Sequence, residues 1–498
     1  MKNIKTGILG FYGGIMGCLV VLVTGLLMMN PAGTRAQAPQ RPQAPQRPQA
    51  PQIAQNQDDE AKLIRQVFDS ALVSGRSYPM LRDLCKKAGH RLSGSAGAAK
   101  AVELMFAYLS ELGLDSVWLQ PVQVPRWVRG EAEKGTVRVD GLASDYRLRL
   151  LALGGSVGTG AQGVHGEVLE FGNLDELEKA DSLQVRGRIV FLNKPFDQRP
   201  VNSMAAYGGC IDIRFDGARL AASKGAIGVM IRSLTHRLDS FPHTGSMQYG
   251  DAKVRIPAVA ISTEDAEWLS QTLITQKRQG KRPRVSLYTN CYELPDTLSY
   301  NVIGDWHGSR RPREWMVVGG HLDSWDVGEG AHDDGAGCAH AVEAIRLLKA
   351  VGYQPASSLR VVLFMNEENG ARGAKVYADW SASVGEKQKV GLESDRGGFA
   401  PREFSSESSL ERIKALQPWL RFLDPYGVYA IRKGGSGVDV GFLRPQGTEL
   451  FGLIPESQRY FDYHHAATDV FESVNRRELE LGSASMAALL YLLDQESR

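Results

Sequence analysis

Residues 317–337 read VVGGHLDSWDVGEGAHDDGAG: a short apolar run ending in a histidine, a loop rich in glycine and acids, and the start of a helix. The apolar run belongs to WMVVGGHLDS (315–324), a strand entering a loop. The glycines lead into AGCAHAVEAIRLLKAV (336–351), whose apolar residues recur at helical spacing. The alternation continues outward. SLRVVLFMNEE (358–368) is a strand with acids at its carboxyl end, KVGLESD (389–395) is another, and SSLERIKALQPWLRFL (408–423) is helical. Such alternation predicts an α/β fold with a mixed, mainly parallel sheet sandwiched by helices. In sheets of this kind, sites form outside the carboxyl ends of the strands. His321, Glu367, Glu368 and Asp395 all fall at such ends.

Those residues make a metal-binding series. A neutral imidazole at His321 and carboxylates around it suit zinc. Asp323, two residues on, is close enough to orient the ring as an outer partner. Asp333 and Asp334 are adjacent carboxylates at one turn, and a cation bridged by Asp333 would relieve their repulsion. Of Glu367 and Glu368, one can ligate while the other stays free as a general base. Asp395 and the pair His464–His465 in YHHAATD (463–469) complete the set. Taken singly, each has a plainer account: a strand-end histidine, a helix N-cap, a solvated strand end, a turn aspartate, surface histidines. Taken together and in order at strand ends, they point to water attack on a polarised carbonyl. His332, beside the acidic pair, reads as an orienting or lining residue, and His340 as a core residue.

The rest of the 498 residues sets the frame. With 43% hydrophobic and 23% charged residues the chain can bury a large core. Lys2 and Lys5 precede an uncharged apolar stretch at 8–29, and RAQA ends at Ala38. Residues 1–38 therefore read as a secretory signal peptide or, given the length of the apolar run, a retained membrane anchor. Either reading exports the folded part to a periplasmic or extracellular space. Removing a leader that holds Lys2, Lys5, Arg35 and no acid takes the formal net charge from +2 to −1, which leaves no basic footprint for nucleic acid. The APQRPQ repeat within 39–57 predicts an extended tether. Helical patterns and a strand follow at 58–128. Short β-like runs and one helix at 129–290 suggest a separate α+β insert, whose His165, His236 and His243 read as surface or turn residues. The catalytic segment resumes at 291–498. Cys18 lies in the leader, and Cys85, Cys210, Cys291 and Cys338 show no pairing pattern. Cys338, on an apolar helix face, reads as a buried free thiol.

Several blocks resemble the co-catalytic zinc aminopeptidase family, and within it the carboxypeptidase Q branch: GHRLSGSAGAAKAVELM (89–105), VQVPRWVRGE (122–131), RIPAVAISTEDAE (255–267), HLDSWDVGEGAHDDGAG (321–337), NEENG (366–370), ESDRGGFAP (393–401) and HHAATD (464–469). The resemblance runs from about residue 60 to the C-terminus. It implies a zinc exopeptidase fold with a protease-associated-like insert that shapes access without supplying catalytic residues. It also implies two Zn2+ per chain bridged by Asp333, with His321 and Asp395 completing one ion and Glu368 and His465 the other. Glu367 would be the general base, and a cis peptide would join Asp333 to Asp334. His465 is chosen over His464 because it stands four residues before Asp469. The implied substrate is an unblocked dipeptide or short peptide, and relatives often form homodimers. Two features depart from the family: His332, and GGSGVDVGFL (434–443), which makes Ser436 and Asp439 substrate-binding candidates. An aminopeptidase acting on longer peptides, a glutaminyl cyclase-like acyltransferase and a non-enzymatic receptor-like ectodomain are the other readings.

Overall fold

The computed structural model describes residues 52–496; the leader and most of the tether lie outside them. The first helix, Gln52–Ser74, begins inside the segment expected to be extended. The last proline of the repeat is Pro51, so nothing from 52 onward breaks a helix.

The larger sheet has eight strands, here β1 (Ser116–Val128), β2 (Tyr292–Trp306), β3 (Arg311–His321), β4 (Ser357–Phe364), β5 (Lys387–Glu393), β6 (Pro401–Ser406), β7 (Ala430–Lys433) and β8 (Glu449–Pro455). Their spatial order is β1-β2-β4-β3-β5-β8-β6-β7. The central pairs β4–β3, β3–β5 and β5–β8 are parallel, and β2 runs antiparallel to β4. Every residue of β4 is buried, as expected of a strand covered on both faces. Alternation along the strands decides which helix each residue meets. Met316, Val318, Leu359, Val361 and Leu363 share a core with the helices Ala336–Ala350 and Arg476–Glu496. Val317, Val362 and Phe364 face the other way, onto the helix Arg372–Ser383.

A second eight-stranded sheet is built from strands lying between Lys134 and Tyr288. The chain leaves the first sheet at Val128 and re-enters at Tyr292, and these two residues pair across β1 and β2. The intervening segment is thus tethered at one point of the sheet edge. It has its own core, including Ile189, Phe191, Met230 and Val259. Cys85, Cys210, Cys291 and Cys338 are all buried and unpaired. Among the described residues, no helix is long and apolar enough to cross a membrane.

Candidate metal centre

Strand register brings the site together. His321 at the end of β3 pairs with Phe364 of β4, and Gly319 of β3 pairs with Glu393 of β5. The loops beginning at Leu322, Met365 and Ser394 therefore leave the sheet side by side. Two of the turns are left-handed at residues with side chains: Asn366 (φ 78°), just before the glutamates, and His465 (φ 62°). Such angles are uncommon outside glycine and cluster where function fixes a side chain.

Asp333 is the centre of the cluster. Its Oδ1 lies 3.2 Å from His321 Nε2, which is also 3.4 Å from Asp395 Oδ1. Its Oδ2 lies 3.2 Å from His465 Nε2, which is also 3.1 Å from Glu368 Oε2. One carboxylate thus faces two imidazoles, each with a second carboxylate beside it. Asp333 Oδ2 and Glu368 Oε1 are buried without a hydrogen-bond partner among the described residues. Buried carboxylate oxygens seldom stay unsatisfied, and imidazole with carboxylate is a donor set suited to zinc. The residues fit a metal.

Two neighbours stand slightly apart. Asp334, joined to Asp333 by a cis bond, accepts from the His321 amide (3.0 Å) with Oδ2 and from the Gly337 amide (2.9 Å) with Oδ1. Both its oxygens are committed to holding the turn. His464 stacks on His465 with ring centres 3.5 Å apart, but its Nε2 is 3.7 Å from Asp333 and makes no contact comparable to the Glu368 contact of His465.

Asp323 acts differently from the sequence expectation. The Nδ1 of His321 meets the backbone carbonyl of Asp323 at 3.0 Å, while the nearer carboxylate oxygen is 3.8 Å away. That carboxylate instead accepts from the amides of Asn366 (2.6 Å), Glu367 (3.0 Å) and Glu368 (3.3 Å). The carboxylate is thus spent on the adjacent loop and not on the His321 ring. Asp323 is a positioning residue for the glutamate pair.

Glu367 is half-buried and, with Glu368, lines a cavity of about 500 Å³ whose far wall includes Gly154, Phe215 and Met247 of the inserted segment. Burial, reinforced by Asp395 and Glu368, lifts the Glu367 carboxyl well above the ordinary range. Burial works against protonation of His465, but Glu368 and Asp333 prevail and raise it to about 9. The Glu367 shift is led by burial, whereas that of His465 is set by the carboxylates beside it.

The remaining expectations divide. His332 is buried, its Nδ1 accepts from the Gly398 amide (3.1 Å), and its ring stacks on Phe399. His340 is buried against Ser394 Oγ at 2.9 Å. Ser436 is buried and its hydroxyl donates to Glu407 (2.9 Å), which also holds Arg444, so that hydroxyl already serves the scaffold. Asp439 is buried with both oxygens unpartnered among the described residues, and burial with the neighbouring Glu393 keeps its carboxyl well above the usual value. His165 is exposed and His236 half-buried. His243 overturns the surface reading: it is buried, with Nδ1 2.7 Å from the His464 carbonyl, because the inserted segment lies against the metal cluster.

Three contributors have roles that the sequence does not reveal. Asp469 accepts from the amides of His332 (2.7 Å) and Asp333 (3.1 Å). Arg91 donates to the carbonyls of Leu322, Glu329 and Gly330. Arg214 of the inserted segment reaches His465. HHAATD and GHRLSG contain the first two, but the partners are backbone groups or distant side chains that leave no pattern.

Comparison with known proteins agrees with this geometry. Residues 301–489 match the profile of peptidase family M28. Human carboxypeptidase Q is 33% identical over 435 residues, covering 87% of this chain and 89% of that protein. A crystal structure of a peptidase M28 precursor from Shewanella amazonensis superposes with a TM-score of 0.82 at 32% identity, covering 88% of this chain and 97% of that one. The fold extends to BSAP, a zinc aminopeptidase from Bacillus subtilis, with a TM-score of 0.60 at 21% identity and coverage of 84% and 94%. With identity above three in ten along nearly the whole length of its relatives, this chain belongs to peptidase family M28.

Proposed function

We propose that the chain is an exported, zinc-dependent exopeptidase that hydrolyses unblocked dipeptides or short peptides. Two zinc ions would be held per chain, one by His321, Asp395 and Asp333 and the other by His465, Glu368 and Asp333. The observation that carries this reading is Asp333, whose two oxygens face two different imidazoles, each with its own further carboxylate. When bound, zinc supplies Lewis acidity, polarising the scissile carbonyl and making the attacking water easier to deprotonate.

The chain's own residues do the rest. Asp323 fixes the loop that carries Glu367 and Glu368, so that Glu368 turns to His465 and Glu367 borders the cavity. Glu367 takes a proton from the attacking water and returns it to the departing amine. The cavity, closed on one side by the inserted segment, fits a short substrate. The apolar segment at 8–29 supports export.

A substrate panel on zinc-loaded enzyme tests the specificity. Unblocked dipeptides should turn over fastest, with tripeptides slower and N-blocked dipeptides inert. Equal or faster cleavage of tripeptides would replace the dipeptidase reading with a general aminopeptidase, and cleavage of N-blocked dipeptides would remove the free amine from the recognition.

A further inference from the structure

The two imidazoles that face Asp333 have unlike surroundings. A histidine that ligates through Nε2 carries its proton on Nδ1 and needs an acceptor there, ordinarily a carbonyl or carboxylate. His321 has one, the Asp323 carbonyl at 3.0 Å. His465 has the Thr244 carbonyl at 3.3 Å and, on the same nitrogen, Arg214 Nη1 at 3.4 Å. A guanidinium offers only donors, so it satisfies nothing on a protonated Nδ1.

Arg214 is buried, in the short helix Ile211–Phe215 of the inserted segment. Its Nη2 donates to Tyr207 Oη at 2.6 Å, its Nε has no partner, and no carboxylate pairs with it among the described residues. The inserted segment also grips the histidine loop through its backbone. The Thr244 amide donates to the His465 carbonyl (3.0 Å), and His243 Nδ1 meets the His464 carbonyl (2.7 Å). Between them Gly245, at φ +133°, makes the room: a Cβ there would lie 2.5 Å from Arg214 Nη1 and 2.7 Å from His465 Nδ1.

We propose that the inserted segment, by placing the Arg214 guanidinium behind His465, weakens metal binding at the His465–Glu368 position relative to the His321–Asp395 position. The proposal rests on the two-zinc reading given above. A buried cation with no counter-ion of its own draws on the negative charge of the cluster and so competes with the metal for it, an effect strengthened by the low-dielectric surroundings. The two positions then fill in order, and the second is the one through which the insert governs activity as free zinc varies.

The test is a zinc titration of the metal-stripped full chain, read by calorimetry and by competition with a chromophoric chelator, for the parent, Arg214→Gln and Arg214→Lys. The parent should bind two ions in two affinity classes. Arg214→Gln should tighten the weaker class by about tenfold and leave the tighter class unchanged, whereas Arg214→Lys, which keeps the charge, should stay close to the parent. The tighter class serves as the internal check on folding. If Arg214→Gln is too unstable to titrate, Arg214→Met, which also removes the charge while keeping an unbranched side chain, should shift the weaker class in the same direction. Two ions of equal affinity, or a weaker class that Arg214→Gln leaves unchanged or loosens, would overturn the proposal while leaving the two-zinc reading standing. A single ion at saturation would overturn both.

Discussion

Glu367 and Glu368 are adjacent in sequence and are held by the same carboxylate, Asp323, through their amides. Their side chains part company just past the left-handed turn at Asn366 (φ 78°). Both glutamates line the cavity, but only Glu368 meets His465, at 3.1 Å. That separation is what a metal hydrolase needs from a carboxylate pair. Replacing Glu367 by Gln keeps the shape and removes the proposed base. The variant should retain its zinc, measured by elemental analysis, while kcat for a dipeptide falls by roughly 10²–10⁴. Retained turnover with zinc bound would remove Glu367 from the role of base.

At the scale of elements, the site depends on β3 and β4 ending together, and a distant anchor sets how they begin. Asp494, near the end of the last helix and fully buried, accepts from Tyr353 Oη (2.6 Å) and from the amides of Ala356 (2.6 Å) and Ser357 (2.9 Å), and it pairs with Arg311 at 2.9 Å. Burial alone would raise its carboxyl, but the Tyr353 hydroxyl and these amides outweigh burial and hold it below the usual aspartate value. A depressed folded value stabilises the protein above the unfolded aspartate value of about 3.9. That contribution disappears as pH falls through the lower folded value. Asp494→Ala should therefore cost about 3 kcal/mol in denaturant unfolding at neutral pH, and the loss should shrink as the medium is acidified; a constant loss across that range would contradict the linkage. The strands themselves are legible in sequence, because β3 and β4 are apolar runs closed by polar residues and their alternate residues serve two cores. The tie through Asp494 is not. It joins positions more than a hundred residues apart, and a lone aspartate near the end of a helix carries no sign of its partners.

For the whole molecule, His321, Glu367–Glu368 and Asp395 stand out in the amino-acid sequence because they follow apolar strands whose pattern is local, whereas Asp333 and the choice of His465 over His464 draw their meaning from the family resemblance. The reach of the insert is not legible there. His165, His236 and His243 look alike in sequence, yet only His243 is buried against the metal loop, and Arg214 meets His465 across a separation of 251 residues. The larger sheet carries the cluster around Asp333, and the segment between β1 and β2 supplies residues that line the cavity and contact His465, so the proposed site belongs to the two parts jointly. The most direct measurement is stepwise return of zinc to the metal-stripped full chain while dipeptide hydrolysis is followed. Two zinc-binding positions sharing Asp333 predict no hydrolysis without metal and full activity at two equivalents; hydrolysis by the metal-free chain, or saturation at one equivalent, would contradict them.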